Sequence, residues 1–298
     1  MSTLKSDALI TVGEILQDAE NRLREAGINT PRLDAEVLLA EAMNTTRTRL
    51  MADVDREVTA VQSMAFEAMM ARREQREPVA YLLDRKEFWS LDFTVTPDVL
   101  IPRPDTECLI EHFLTLVKRD GVEAPRILDV GTGSGILAIV AARECPTATI
   151  TAMELSGRAL DVARHNASAH NVSAQIQFVQ ADFHREFWEG APFDYILSNP
   201  PYIDYETYET LAPEIREYEP KQALLAGHDG MDAYRKIIPL SAMLLRPGGS
   251  LVLEFGDDQG PEVNRLVAEN GGFEGIERAS DYTGAERVLS ARRRAVRG

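Results

Sequence analysis

The chain has 298 residues and carries 48 acidic against 32 basic side chains, a formal charge of −16 at pH 7. At 44% hydrophobic and 27% charged residues it has a globular composition and enough length for two cores, which excludes disorder as the main state and any collagen-like or low-complexity class. The acidic balance also argues against a partner held through its phosphates, since neutralising them takes clustered Lys and Arg, so free duplex DNA is a poor match.

Two cysteines, Cys108 and Cys145, form neither a disulfide framework nor a ligand cluster and read as thiols of a reducing compartment. The first residues lack the apolar stretch of a secretory signal, and no apolar run reaches the about 18 residues of a membrane span. The expected location is the cytoplasm, without a membrane partner.

Thr11-Val-Gly-Glu14 is a capping box, followed at helical spacing by Ile15, Ala19, Leu23 and Ala26, with Gly27 placed to stop the helix. Thr30-Pro31 repeats the start signal, and Leu33, Val37, Leu38 and Ala42 supply the inward stripe of a second helix. A short helix over Thr46 to Ala52 and a longer one from Glu57 to Gln75, with Val61, Met64, Ala65 and Met69 inward, complete a small all-helical domain over residues 1–78. Arg72, Arg73 and Arg76 read as a solvated helix end, cations near its C-terminus. Residues 79–104 are the predicted linker: a β-hairpin in which Leu91, Phe93 and Val95 alternate behind Phe88-Trp89, then a stiff extended stretch in Leu100-Ile-Pro-Arg-Pro-Asp-Thr-Glu107 that ends in a helix cap.

Over 105–298, apolar runs alternate with helical segments: Ile127 to Val130, Thr149 to Met153, Ile176 to Val179, Tyr195 to Leu197 and Leu251 to Phe255. Such strands belong to a parallel sheet covered on both faces, an α/β architecture. Phe273 to Arg278 and Arg287 to Ser290 follow each other closely and predict an antiparallel edge.

Asp129-Val-Gly131-Thr132-Gly133-Ser134-Gly135 lies between the first of these strands and a helix, where glycines let the backbone turn sharply and a ligand approach closely. The dinucleotide pattern G-x-G-x-x-G fails, because Ile136 stands at its sixth place. Glu154, ending the second strand, is placed to accept both hydroxyls of a ribose, or else is a solvated acid before the next helix. Asp182 and Phe183 after the third strand suit an adenine amine and ring, although Asp182 alone also suits a helix cap. With no G-x-x-x-x-G-K-[ST] phosphate cradle present, S-adenosylmethionine is the leading cofactor.

Asn199-Pro200-Pro201-Tyr202 follows the fourth strand. An amide or aromatic amine is a weak nucleophile, and a site accepting both its N–H hydrogens, one at the Asn199 side-chain oxygen and one at the Pro200 carbonyl, fixes the nitrogen and pushes electron density onto it. Tyr202 can stack on the planar group, and orientation then supplies most of the acceleration of an in-line displacement at a sulfonium methyl. The same letters also occur in ordinary turns. No metal site is assigned, since His165 and His170 are wrongly spaced for one helix face and no H-E-x-x-H or C-x-x-C occurs. The arginines Arg292 to Arg294 and Arg297 read as a frayed end, or as one that brushes an RNA surface.

On these residues the chain resembles the release factor glutamine methyltransferases, the PrmC/HemK family. The most specific pieces are Thr30-Pro-Arg-Leu-Asp-Ala-Glu36, Glu87-Phe-Trp89, Leu100 to Glu107, Asn199 to Ile203, Glu219-Pro-Lys221 and Asp281-Tyr-Thr-Gly284. The resemblance implies a Rossmann-like class I methyltransferase sheet carrying a helical substrate-recognition domain. It also implies methylation of the glutamine amide in the Gly-Gly-Gln motif of class 1 peptide chain release factors. By the same carry-over Gly131, Thr132, Gly133, Ser134, Gly135, Glu154, Asp182, Phe183 and Asn199 hold the cofactor, and Asn199, Pro200, Pro201 and Tyr202 the glutamine. A monomer is expected. Three positions depart from the family's pattern: Glu154 stands where Asp is usual, Phe183 where some members have Trp, and Asp84 in place of a common Gly. The alternatives are a ribosomal protein glutamine methyltransferase, a DNA adenine-N6 methyltransferase that flips its base, and a non-catalytic cofactor-binding protein.

Overall fold

Thr11 starts the first helix through the predicted reciprocal cap: its hydroxyl accepts the Glu14 N–H at 3.3 Å and its own N–H donates to Glu14 Oε2 at 2.9 Å. The computed structural model describes residues 10–182 and 192–295. These form two compact units, one reaching to Asp84 and including Pro213–Tyr218, the other made of Arg85–Ala212 and the chain from Glu219 on.

The first unit consists of α1 (Val12–Glu25), α2 (Pro31–Ala42), α3 (Arg47–Ala52), α4 (Ala60–Glu74) and α5 (Val79–Leu82). Leu16, Ala19, Leu23, Leu38, Leu39, Phe66 and Met70 form its core. Two helices bury a face other than the one their apolar residues predict. In α2, Leu33 is 42% exposed while Asp34 and Glu36 are buried; in α4, Val61 and Met64 are 78% and 74% exposed while Phe66, Met70 and Arg73 face inward.

The cause is ionic pairing. Arg73 is buried with Nε on Asp34 Oδ2 at 2.8 Å and Nη2 on Glu214 Oε1 at 3.1 Å, and Arg76 reaches Glu214 at 2.7 Å. This corrects the solvated-end reading for Arg73 and Arg76, while Arg72 stays half exposed on Glu77: burying Arg73 is tolerable only with carboxylates around it. Thr30 donates its hydroxyl to Asp34 at 2.8 Å and makes no side-chain cap. Burial alone raises the Glu36 pKa, but hydrogen bonds from Arg32 and Arg47 hold it below the ordinary carboxylate value. Helix α4 starts at the second capping box, Thr59 with Gln62, later than Glu57.

The second unit opens with the predicted hairpin, β1 (Arg85–Phe88) and β2 (Leu91–Thr94), antiparallel. Its two-residue turn has Trp89 and Ser90 both at φ +55°, the twist that suits a tight hairpin. Trp89 is held there by a 2.8 Å bond from its N–H to Glu107. Then come α6 (Glu107–Asp120), β3 (Arg126–Val130), α7 (Ile136–Glu144), β4 (Thr149–Glu154), α8 (Gly157–Ala169), β5 (Ile176–Gln180), β6 (Phe193–Ser198) and α9 (Tyr205–Thr210). Helix α10 (Pro213–Arg216) belongs to the first unit. The chain closes with α11 (Asp232–Leu244), β7 (Leu245–Glu254), α12 (Gly260–Asn270), β8 (Phe273–Ser280) and β9 (Glu286–Arg293).

Among the described residues these strands form one seven-stranded sheet in the order β5-β4-β3-β6-β7-β9-β8, with β8 and β9 the antiparallel edge the sequence predicts. Arg292 and Arg293 lie in β9, where Arg292 pairs with Asp120 and Arg293 binds the Ala242 carbonyl; Arg294 binds the Phe273 carbonyl at 2.6 Å. The frayed-end reading is therefore wrong for Arg292 to Arg294, whose guanidinium groups tie the sheet edge to its neighbours. Arg297 lies outside the described residues. Among the described residues no helix is long and apolar enough to cross a membrane.

Chain order reverses between β3 and β6. From β3 the chain steps outward through β4 to β5, then returns to β6 on the other flank of β3. Connections leave such a switch point in opposite directions and open a crevice at the strands' carboxyl ends. The glycine loop follows β3, and Asn199 follows β6.

Candidate active site

The loop after β3 is pinned at both margins. Gly131 and Thr132 donate their N–H groups to the Met153 carbonyl at 2.9 and 3.0 Å, and Gly135 donates to Thr132 at 2.8 Å. Below it, Asp129 is buried and its Oδ2 accepts the Thr132 hydroxyl at 2.6 Å and the Ala138 N–H at 3.2 Å. Burial pushes the Asp129 pKa up to about 7 against those two bonds, and the nearby charge of Glu154 adds to the rise. Among the described residues its Oδ1 has no hydrogen-bond partner.

The three glycines differ in what they face. At Gly131 and Gly133, with φ +77° and +54°, an added Cβ meets nothing within 4 Å, so the backbone borders open space. At Gly135, φ +88°, a Cβ falls 3.0 Å from Ile139 Cδ1 and 3.2 Å from the Ala163 Cβ, so that glycine serves helix packing. The side chains of Thr132 and Ser134 are buried beneath the loop, and the Ser134 carbonyl accepts Asn166 Nδ2 at 2.8 Å.

The open space is a cavity of about 350 Å³, bordered by Gly131, Gly133, Met153, Glu154, Ala181 and Pro201 among others. That is ample for a small ligand, and it lies at the carboxyl ends of β3, β4 and β5. Glu154 folds its carboxylate back on the backbone: Oε2 accepts the Gly133 N–H at 3.0 Å, and Oε1 accepts those of Leu155 and Ser156 at 2.8 and 3.0 Å. Three donors leave a carboxylate with lone pairs to spare for a ligand's hydroxyls. Asp182 follows β5 and Ala181 directly. Phe183 lies outside the described residues.

The tetrapeptide leaves β6 on the other side of the switch. Ser198 donates its hydroxyl to the Val130 carbonyl at 2.7 Å, which fixes the residue before Asn199 to the residue before Gly131. Pro200 is buried and Pro201 borders the cavity. The Tyr202 ring lies against Gly256, where an added Cβ falls 2.9 Å from Cδ2, and its carbonyl accepts Gln259 Nε2 at 2.8 Å. Burial, with the neighbouring Glu254 charge, pushes the Tyr202 hydroxyl up to about 12, so it stays neutral.

Asn199 Nδ2 donates to Thr106 Oγ1 at 3.1 Å, so the amide nitrogen is the committed atom and the oxygen is the one left to accept. β7, which pairs Leu253 with Ser198, ends in Glu254, an acid only 2% exposed. The sequence reading passes over it, although a lone acid inside the apolar run Leu251 to Phe255 is a signal of its own. Thr106 stands where the sequence predicts a stiff connection ending in a helix cap, but it makes no side-chain cap and accepts the Asn199 amide instead.

The same motifs build the frame around the site. Glu219 is buried and accepts the Ile101 N–H at 3.1 Å and an Arg103 N–H, clamping the extended segment ahead of Thr106. Asp281 closes its turn by accepting the Thr283 N–H at 2.8 Å and the Thr283 hydroxyl at 2.6 Å, and it pairs with Arg287 at 3.0 Å.

Comparison with known proteins agrees with this architecture. The hMettl16 catalytic domain superposes with a TM-score of 0.56 at 16% identity, covering 75% of this chain and 81% of that one, a likeness of fold. The family profile of the PrmC N-terminal domain matches residues 14–83, and that of the methyltransferase small domain matches residues 104–215. The release factor glutamine methyltransferase of Moorella thermoacetica is 41% identical, covering 96% of this chain and 99% of its own length; that of Salmonella typhimurium is 40% identical over 93% and 97%. With identity at this level along nearly the whole length of both partners, the chain belongs to the family of S-adenosylmethionine-dependent release factor glutamine methyltransferases.

Proposed function

We propose that this chain methylates the side-chain amide nitrogen of the glutamine in the Gly-Gly-Gln motif of class 1 peptide chain release factors. The observation that carries the reading is the orientation of Asn199, whose amide nitrogen is spent on Thr106 while its oxygen takes no hydrogen bond among the described residues, in a turn that Ser198 ties to the residue before the glycine loop. Its near full-length relatives bear the corresponding name.

S-adenosylmethionine, when bound, supplies an electrophilic methyl group on a sulfonium sulfur. Gly131, Thr132, Gly133, Ser134 and Gly135 offer it backbone, Glu154 takes its ribose hydroxyls, Asp182 and Phe183 its adenine, and Asn199 borders it. These roles are supported by the open face of the loop and by the spare lone pairs of Glu154. The Asn199 oxygen and the Pro200 carbonyl accept the two N–H hydrogens of the substrate amide, and Pro201 and Tyr202 flank its plane. Accepting both hydrogens holds the nitrogen in line and raises its electron density. Held this way, the amide nitrogen would be aimed at the methyl group that S-adenosylmethionine supplies when bound, with its surplus proton passing to solvent.

Within this reading residues 1–78 recognise the factor, 79–104 connect, and 105–298 carry the chemistry. The protein acts as a cytoplasmic monomer with no DNA or membrane partner, and a sulfonium methyl needs no metal to be reactive. Incubating the purified chain and radiolabelled S-adenosylmethionine with release factor, ribosomal proteins or DNA tests it. Label in the release factor glutamine is the expected result; label in ribosomal protein or DNA instead overturns the assignment.

A further inference from the structure

We propose that Gln259 is a positioning residue for the reaction: its side-chain amide, anchored on the turn after β7, holds the Tyr202 carbonyl and so fixes the tetrapeptide and the ring that flanks the substrate amide. The inference rests on the roles of Asn199 to Tyr202 set out above.

A segment that offers a backbone carbonyl to a substrate cannot spend that carbonyl on the fold, and its two prolines have no N–H to contribute. Asn199 to Tyr202 must therefore be held from the ends. At the front, Ser198 donates its hydroxyl to the Val130 carbonyl at 2.7 Å. At the back, the Ile203 N–H donates to the Leu224 carbonyl at 2.9 Å, and the Ile203 carbonyl accepts the Ala226 N–H at 2.8 Å. Between these anchors Gln259 makes a double contact. Its Nε2 donates to the Tyr202 carbonyl at 2.8 Å, and its Oε1 accepts the Gly256 N–H at 3.0 Å. Both partners are backbone groups of fixed polarity, one only an acceptor and the other only a donor, so the glutamine amide fits in a single orientation.

The setting of Gln259 serves this contact better than it serves the helix. The residue stands at the N-cap of α12, where a short Ser, Thr, Asp or Asn side chain would take up the first helical N–H groups. Among the described residues it makes no such cap bond, and its length is used to reach Tyr202. The turn beneath it is closed by the Gln259 N–H on the Gly256 carbonyl at 3.2 Å, with Asp258 held at φ +59°, an uncommon conformation for a residue with a side chain. Two glycines make room for Tyr202. A Cβ at Gly256 would fall 2.9 Å from Cδ2 and 3.1 Å from Cε2 of its ring; one at Gly230 would run into its carbonyl oxygen and fall 2.7 Å from Gln259 Nε2. Carbonyl and ring are thus fitted closely to the turn, and loss of the Gln259 bridge lets the tetrapeptide move. A misplacement of about 1 Å at a reacting centre costs about 10²-fold in rate.

The test joins methylation kinetics on a release factor, calorimetric donor affinity and the 13C NMR signal of the Tyr202 ring in the ligand-free protein, assigned by its loss in Tyr202→Phe. Gln259→Ala is expected to lower kcat by about 10- to 100-fold, to leave donor affinity and KM for the release factor within about two-fold, and to shift the Tyr202 signal. Gln259→Glu keeps the length and the acceptor for Gly256 but turns an oxygen toward the Tyr202 carbonyl, where only a protonated carboxyl can donate. Its rate relative to the unaltered chain is therefore expected to be low at alkaline pH and to recover as pH falls, a rescue that a general loss of folding does not imitate. Gly256→Ala displaces the ring directly and is expected to lower kcat and shift the signal likewise. A Gln259→Ala variant with the original kcat, a fall in donor affinity equal to the fall in kcat, a Tyr202 signal that stays in place, or a Gln259→Glu rate ratio independent of pH overturns the inference. If the unaltered chain leaves the release factor unlabelled, the methylation reading fails instead, and the Tyr202 signal in Gln259→Ala still decides whether Gln259 holds the tetrapeptide.

Discussion

Glu154 accepts the Gly133 N–H at 3.0 Å from the end of the neighbouring strand, so one carboxylate braces the glycine loop and borders the same cavity. The extra methylene, relative to the family's usual Asp, lets the group fold back onto the amides of Leu155 and Ser156 as well. Glu154→Ala removes the brace and the acceptor for ribose hydroxyls together. Charge-assisted bonds of about 1.5–3 kcal/mol imply a donor dissociation constant about 10- to 100-fold weaker by calorimetry. Unchanged affinity removes the acid from the donor site.

The glycines of the loop make separable predictions. Gly135→Ala drives a Cβ to 3.0 Å from Ile139 and is expected to lower stability by about 2–3 kcal/mol in denaturant titration. Gly131→Ala has room for its Cβ but holds φ +77°, a strain of about 1–2 kcal/mol, and places the methyl toward the cavity. Its donor affinity is expected to fall by more than its stability accounts for. Equal effects of both variants on binding contradict this division of labour.

In the helical unit, Arg73→Met leaves the buried carboxylate of Asp34 without its 2.8 Å partner. Breaking one side of such a pair costs about 3–5 kcal/mol, and the double variant Arg73→Met with Asp34→Leu is expected to recover much of it. Val61→Ala, at a position 78% exposed, is expected to change stability by less than about 0.5 kcal/mol. A Val61 effect larger than that of Arg73 in thermal unfolding contradicts the observed helix faces.

Asp129 links stability to pH in a direction opposite to that of a salt-bridged acid. Its folded-state pKa is raised from 3.8 to about 7, so the native chain binds the proton more tightly than the unfolded chain. The contribution is complete below 3.8 and is lost as pH rises through about 7. Asp129→Asn is expected to lack that slope, so the unfolding free energy of the parent relative to the variant falls as pH rises from 3.8 to about 7. A difference that stays flat across this range contradicts it.

Local signals were legible in the sequence, and signals between distant residues were not. The Thr11 cap needs only Glu14, and the glycine loop and Asn199 to Tyr202 are contiguous, so position and type could be read along the chain. The buried faces of α2 and α4 could not, because hydropathy treats Asp34, Glu36 and Arg73 as solvent-seeking until their pairing is known. Glu254 belongs to the same class: it ends beside the strand that leads to Asn199 only because β7 pairs with β6. The departure at Asp84 has a visible consequence, since that residue holds φ +53°, the conformation that favours the usual Gly.

Asn199→Ala tests the central claim most directly, by single-turnover methyl transfer to a release factor measured beside donor affinity on the same preparation. The account predicts that donor affinity stays within about two-fold while the transfer rate falls by about 10³-fold or more, the loss of an interaction made at the reacting nitrogen. A rate close to that of the unaltered chain, or a fall in rate matched by an equal fall in donor affinity, contradicts it.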